Sequence, residues 1–267
     1  MADPIPPQPN PASPAGVGAS AAAARAAAPR AAGNGANWWT EGWRYFTASP
    51  WVWIGMSVAF IAVMILLSLV PLLGSVASTV LAPVLVAGMM AGCQAQDRGG
   101  EVTFAHLFSG FADRLMPLII VGVLYLVGTA LIMVIVLGIA VGTVGMSGLG
   151  ALWSGDPIQG SWAMLAALGV GALFAVLIGT LCALPLMMAC WFAPPLVMLR
   201  GEEPVAAMKA SFVACLVNIW PMLVYGLIGI VLCIVASIPF GLGWFVLAPV
   251  FATSVYASYK DIFGVPA

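Results

Sequence analysis

Four long intervals without a charged residue constrain this chain more than any other feature. After Arg44 no charge occurs until Asp97, a gap of 52 residues. After Arg114 there are 41 residues before Asp156, then 43 before Arg200. After Lys209 there are 50 before Lys260. Hydrophobic residues make up 63% of the 267 and charged residues only 6%, against roughly 25% charged in an ordinary soluble domain. The 8 basic and 9 acidic residues cannot cover a water-soluble fold of this size. The chain is predicted to be an integral membrane protein. Its net charge of -1 excludes a basic nucleic-acid binder. A lone histidine, His106, excludes a multi-histidine metal site.

A bilayer core about 30 Å thick is crossed by about 20 helical residues. The intervals of 52 and 50 residues therefore each suit two spans joined by a tight turn. Turn signals fall near the middle of both, Pro71-Leu-Leu-Gly74 and Pro239-Phe-Gly-Leu-Gly243. The spacing predicts helices over 51–70, 75–93, 219–238 and 242–259. Lipid leaves helices or closed barrels as the only spanning choices, and apolar runs without alternation exclude a barrel. Residues 115–142 read as one span. Residues 143–161 read as a glycine-rich polar loop around Ser154, Asp156, Pro157 and Gln159. Residues 162–199 read as one long helix or two short ones, with Pro185, Pro194 and Pro195 as the source of a kink or break.

Lys and Arg beside membrane spans stay cytoplasmic. With six spans, Arg44, Arg98, Arg114, Arg200, Lys209 and Lys260 all face that side. A seventh span would move the last three across. The expected fold is all-α and integral to the membrane. Six transmembrane helices form three hairpins near 51–93, 115–199 and 219–259, with short cytoplasmic interfacial helices. Both termini are then cytoplasmic. Residues 1–37 hold 14 alanines and 7 prolines without a periodic apolar face. They read as a disordered cytoplasmic tail before a membrane domain over 38–264. No charged segment leads into an apolar core with a cleavage site, so the first span is expected to act as an uncleaved anchor.

The outer hairpins share a plan. Leu81-Ala-Pro-Val84 recurs as Leu247-Ala-Pro-Val250, and Phe46 and Phe212 each precede the motif's proline by 37 residues. Trp191-Phe-Ala-Pro-Pro-Leu-Val197 is a weaker middle copy. Three repeats of one hairpin are expected. Each follows a segment with aromatics and charge that reads as an interfacial helix. In the first such segment, 102–111, Phe104, Leu107, Phe108 and Phe111 share a helical face and Thr103 suits the N-cap. In the second, 204–217, Val205, Met208, Phe212 and Cys215 line one face. Trp38, Trp39, Trp43, Trp51 and Trp53 read as an anchoring aromatic belt.

The predicted spans contain no ionisable group. Such groups are costly in lipid and mark function. Their absence argues against a proton-coupled transporter, a voltage sensor or a carboxylate-based intramembrane hydrolase. No catalytic, cofactor-binding or metal-binding residue is assigned, and the chain is expected not to be an enzyme. Cys93, Cys182, Cys190, Cys215 and Cys233 lack metal or redox spacing. Arg98, His106 and Arg114 are candidate lipid-headgroup contacts. Pro83, Pro194 and Pro249 are candidate helix-kink positions. Each frees a backbone carbonyl that would line a central site or, more simply, shape packing. Gly88-Met-Met-Ala-Gly92 and Gly138-Ile-Ala-Val-Gly142 permit close helix approach.

Several of these motifs occur in order with others. They include Trp53-Ile-Gly55, Pro71-Leu-Leu-Gly74, Leu81-Ala-Pro-Val84, Ala87-Gly-Met-Met-Ala-Gly-Cys93 and Tyr125-Leu-Val-Gly128. Trp191-Phe-Ala-Pro194, Leu199-Arg-Gly201, Ser211-Phe212 and Tyr256-Ala-Ser-Tyr-Lys-Asp-Ile-Phe263 complete the set. Over about 38–264 the chain resembles a family of proteobacterial six-helix inner-membrane proteins. The layout is loosely similar to the membrane domain that accompanies some glycerophosphodiester phosphodiesterases. The soluble, metal-dependent catalytic domain of those enzymes has no counterpart here. The family has no established activity, so the resemblance implies location and fold but no catalytic residue. The expectation is a non-catalytic multi-pass inner-membrane protein that binds lipids or a membrane-protein partner, without cofactor or nucleic acid. The alternative is a channel or carrier for an uncharged or amphipathic substrate.

Overall fold

The computed structural model describes residues 27–154 and 157–264, and among these there are helices and no strands. In chain order, α1 is Asn34–Ala48, α2 Pro50–Ser68 and α3 Leu73–Asp97. A 3-10 turn, Phe104–Phe108, and α4, Ser109–Asp113, lead into α5, Leu115–Ser154. Then come α6 Pro157–Trp191, α7 Ala193–Arg200 and α8 Pro204–Val217. The chain ends with α9 Ile219–Ser237 and α10 Trp244–Phe263. Among the described residues five helical stretches, α2, α3, α5, α6 with α7, and α9, are long and apolar enough to cross a membrane. Most of their large side chains are exposed, as on Leu131, Val134, Leu177 and Ile230. Apolar helices that show such faces outward suit lipid as their solvent. This is an all-α membrane protein.

The boundaries of α2, α3 and α9 follow the charge pattern and the turn signals. The turn before α3 holds Leu72 at φ 62°, and the turn before α10 holds Phe240 at φ 52° and Gly241 at φ 81°. The central stretch departs from expectation. Residues 143–154 and those from Pro157 onward are helical, so the predicted polar loop shrinks to the neighbourhood of Asp156, which lies outside the described residues. Gly145, Gly148 and Gly150 lie within α5 and face open space, and the close approach of α5 and α6 falls at another glycine. A Cβ on Gly171 would lie 2.3 Å from Thr143 Oγ1. At 40 and 35 residues, α5 and α6 reach about 60 and 50 Å at the helical rise. Residues 162–199 resolve as one long helix, a break at Phe192, and the short α7 that Pro194 and Pro195 begin.

The disordered-tail expectation covers 1–37. Residues 1–26 of it lie outside the described residues, and the rest is corrected. Ala28 N donates to Ile262 O at 2.9 Å, Asn218 Nδ2 donates to Ala28 O at 3.1 Å, and α1 begins at Asn34. Two glycines of α1 are small because the helix packs tightly there. A Cβ on Gly35 would meet Pro221 O at 2.2 Å, and one on Gly42 would meet Ser254 Cα at 2.7 Å. The aromatic belt is corrected too. Trp38, Trp39 and Trp53 are buried in the core, and only Trp43 and Trp51 face outward.

Each leading segment packs on the helix pair before it. The 3-10 turn and α4 lie on α2 and α3, and α8 lies on α5 and α6. The N-terminal α1 has no pair before it and packs on the last one, α9 and α10, which touch each other only lightly. A Cβ on Gly88 would strike Leu107 O at 2.2 Å, so that small-residue pattern receives the 3-10 turn. Gly138 and Gly142 face open space. The buried face of α8 is Pro204, Ala207, Ser211, Ala214 and Cys215, which keeps Cys215 of the predicted stripe and otherwise lies one position before it. Val205 is exposed, and Met208 and Phe212 are half-buried. Small side chains won this face because α8 lies close against α6.

Candidate functional site

The first helix pair contacts both others, through α3 against α5 and α7 and through α10 against α2 and α3. The second and third pairs are held apart. Between them lies a cavity of about 930 Å³, near the top of the roughly 300–1,000 Å³ range of ligand sites. Its wall comes from α2 and α3 (Ser57, Phe60, Met89, Met90), α6 (Met187, Met188, Trp191), α9 (Met222, Tyr225, Gly226) and α10 (Phe251, Val255), with Trp39 of α1 closing one side.

Aromatic packing shapes one side of the wall. Trp39 stacks on Tyr225 with centroids 4.8 Å apart and rings 16° from parallel. Trp191 meets Tyr225 and Phe251 edge-on, at 6.3 and 6.0 Å. Most polar atoms in the wall are engaged within the protein. Trp39 Nε1 donates to Tyr225 O at 3.0 Å, Tyr225 Oη lies 2.7 Å from Ser254 Oγ, and Trp244 Nε1 donates to Ser237 Oγ at 3.2 Å. Ser57 Oγ and Trp191 Nε1 are buried without a partner, a cost of about 1–3 kcal/mol each. Methionines from three helices supply a soft, adaptable lining.

Beside the cavity, the break at Phe192 is repaired by α8. Phe192 N donates to Ser211 Oγ at 2.9 Å, and Ser211 Oγ donates to Met188 O at 2.6 Å. The fully buried Ser211 thus carries a hydrogen-bond chain across the interruption. Cys215 Sγ points at the same carbonyl at 3.6 Å. Burial pushes its thiol up to about 12, so it stays protonated and inert.

Two carboxylates anchor the charged end of the bundle. Asp97, closing α3, accepts from Lys260 Nζ at 2.5 Å, Tyr45 Oη at 2.7 Å and Tyr256 Oη at 3.3 Å. Asp261 accepts from Asn34 Nδ2 at 2.8 Å and Trp38 Nε1 at 2.9 Å and pairs with Arg30 Nε at 3.0 Å. Burial, with the neighbouring Asp97, pushes the Tyr45 hydroxyl above the usual tyrosine range, so it remains a donor. Sequence reasoning put Lys260 on the cytoplasmic side but gave Asp97 and Asp261 no role. The available signal was that tyrosines and tryptophans with polar tips cluster beside them.

The candidate headgroup residues Arg98, His106 and Arg114 all lie in the segment between α3 and α5. His106 Nδ1 accepts from Thr103 N at 3.0 Å and lies 2.9 Å from Thr103 Oγ1, closing a capping box with the predicted N-cap. The Arg114 guanidinium lies over Gly201, 2.7 Å from where its Cβ would be. Arg98 is exposed at the end of α3. Among the described residues no hydrogen bond or ion pair joins the three. Pro83 and Pro249 lie inside α3 and α10, and Pro194 opens α7. Among the described residues no group of three His, Cys, Asp or Glu side chains is placed to hold a metal.

No family model matches the chain, which leaves the layout likeness to the phosphodiesterase membrane domain without support. No solved structure matches it. It is 29% identical to a Burkholderia thailandensis protein named as a probable inner membrane protein, over 88% of this chain and 93% of that one.

Proposed function

We propose that the protein is a non-catalytic, multi-pass inner-membrane protein that takes the apolar part of a membrane lipid into the cavity between its second and third helix pairs. The cavity itself carries this reading. It is large and apolar, lined by methionines and aromatics, and bounded by helices that face lipid. The name borne by the Burkholderia thailandensis relative supports the location. Arg98 and Arg114 are left to meet the phosphate of a headgroup at the charged end. His106 is committed to Thr103 through Nδ1.

Two contacts support six spans with both termini on one side. Lys260 touches Asp97, so an even number of crossings separates them. Arg30 touches Asp261, so the N-terminal segment belongs on that side too. Helix α10 then crosses, although it is less apolar than the others. It is buried from Leu247 to Phe263 along its inner face and spans about 30 Å with 20 residues. Positive residues at this end make it cytoplasmic. The common order of leading helix, span, turn and span around Leu81–Val84 and Leu247–Val250 supports the hairpin repeat.

Gly226 lines the cavity and a Cβ there meets nothing within 4 Å. Gly226→Leu therefore fills the site without moving backbone. Native mass spectrometry of the purified full chain should show retained phospholipid, reduced in Gly226→Leu and unchanged in Gly138→Leu. Equal retention in all three would defeat the reading. Substrate flux into proteoliposomes would favour a carrier instead.

A further inference from the structure

The cavity wall contains an imbalance of donors. Trp39, Trp244 and Tyr225 all direct their polar tips to partners inside the protein. Trp191 does not, although it lies among them and its Nε1 is buried. The hydroxyls of Ser68, Ser75, Thr79 and Thr129 bond back to carbonyls three or four residues earlier in the chain. Ser57 makes no such bond, is 5% exposed, and lines the cavity. An indole N–H is a donor only. Whatever it faces must therefore accept, and a pure hydrocarbon chain cannot. A serine hydroxyl can donate or accept. Ser57 lies two turns into α2, and Trp191 ends α6. Both helix ends lead toward charged residues, Arg44 and Arg200.

We propose that the cavity selects ligands with a carbonyl oxygen on an apolar chain, that carbonyl accepting from Trp191 Nε1 with Ser57 Oγ as a second donor. This rests on the cavity being a lipid site and adds what distinguishes one lipid from another. The chemistry is shared by the ester carbonyl of a diacyl phospholipid and the ring carbonyl of a long-chain quinone. Trp191→Phe keeps an aromatic ring beside Tyr225 and Phe251 while removing the donor together with the pyrrole part of the indole.

The test is competition in native mass spectrometry on the full chain in detergent. Diester phosphatidylethanolamine is set against its diether analogue with the same chains and headgroup. The wild type should retain the diester over the diether by about three- to tenfold, the worth of one net hydrogen bond. Trp191→Phe should erase that preference while total lipid retention persists, and Ser57→Ala should weaken it. Equal retention of diester and diether by the wild type overturns the proposal and leaves the lipid-site reading intact. A preference that survives in both variants also overturns it. Retention of neither lipid, nor of a quinone, overturns both. A long-chain quinone forms the third arm. If it displaces the diester and Trp191→Phe weakens it equally, the quinone is the source of the carbonyl and the proposal holds. Quinone binding untouched by Trp191→Phe contradicts it.

Discussion

Lys260 Nζ lies 2.5 Å from Asp97 Oδ1, across 163 residues of sequence. That pair joins the ends of α3 and α10, and Tyr45 brings α1 to the same carboxylate. The side chains are 35% and 12% exposed, so the pair is neither a surface ion pair nor fully buried. Replacing Asp97 by Asn strips the charge from an acceptor that serves three donors. We expect a loss of about 1–3 kcal/mol, below the 3–5 typical of fully buried pairs, read as a lower Tm in detergent. Adding Lys260→Met to Asp97→Asn should cost less than the sum of the two single changes. Strict additivity would show that the pair is not coupled.

Helix α1 closes the bundle onto its last pair through small residues. Gly42→Ala places a Cβ 2.7 Å from backbone atoms of Ser254, which cannot move as a side-chain tip would. The expected result is loss of α1 docking, seen as protease cleavage near residue 30 and a lower Tm. Gly138→Ala, in open space inside α5, should instead be neutral or gain up to about 1 kcal/mol from helix propensity. A tolerated Gly42→Ala would mean that α1 is not packed this way.

Ser211 bridges the break at Phe192 through its hydroxyl oxygen. Ser211→Ala leaves Phe192 N and Met188 O without it, at about 1–3 kcal/mol. Ser211→Thr keeps the hydroxyl and should recover part of the loss. Thermal unfolding of the three proteins orders them. An Ala variant as stable as wild type would show that the break needs no repair.

The span boundaries were legible because charges and Pro-Gly turns interrupt otherwise uniform apolar sequence. That signal placed α2, α3 and α9 within a few residues. It failed at 143–154, where Gly145, Gly148 and Gly150 read as loop but lie inside α5, facing open space, so that apolar neighbours rather than packing against glycine carry the helix through. It failed again at α1, whose alanines and glycines look like a featureless tail because the surface they fit, on α9 and α10, lies nearly two hundred residues away. The cavity left no trace in the sequence. Met187 and Met222 line it, while Met133 and Met146 face outward, and nothing in their local sequence separates the two pairs.

The six-span orientation has a direct check. A reporter fused at the C-terminus should be cytoplasmic, and one inserted at residue 155 should be on the far side. A C-terminal reporter on the far side would break the parity that Lys260 and Asp97 imply.

The central claim is that a lipid chain occupies the space between the second and third helix pairs. The most direct measurement is photolabelling of the purified full chain with a stoichiometric phospholipid that carries a photoactivatable group in its acyl chain, followed by peptide mapping. The account predicts label concentrated on the segments around Met187–Trp191 and Met222–Gly226, and lost from them in Gly226→Leu. Label spread evenly over the outward faces near Met133 and Met146, and unchanged in Gly226→Leu, would contradict it.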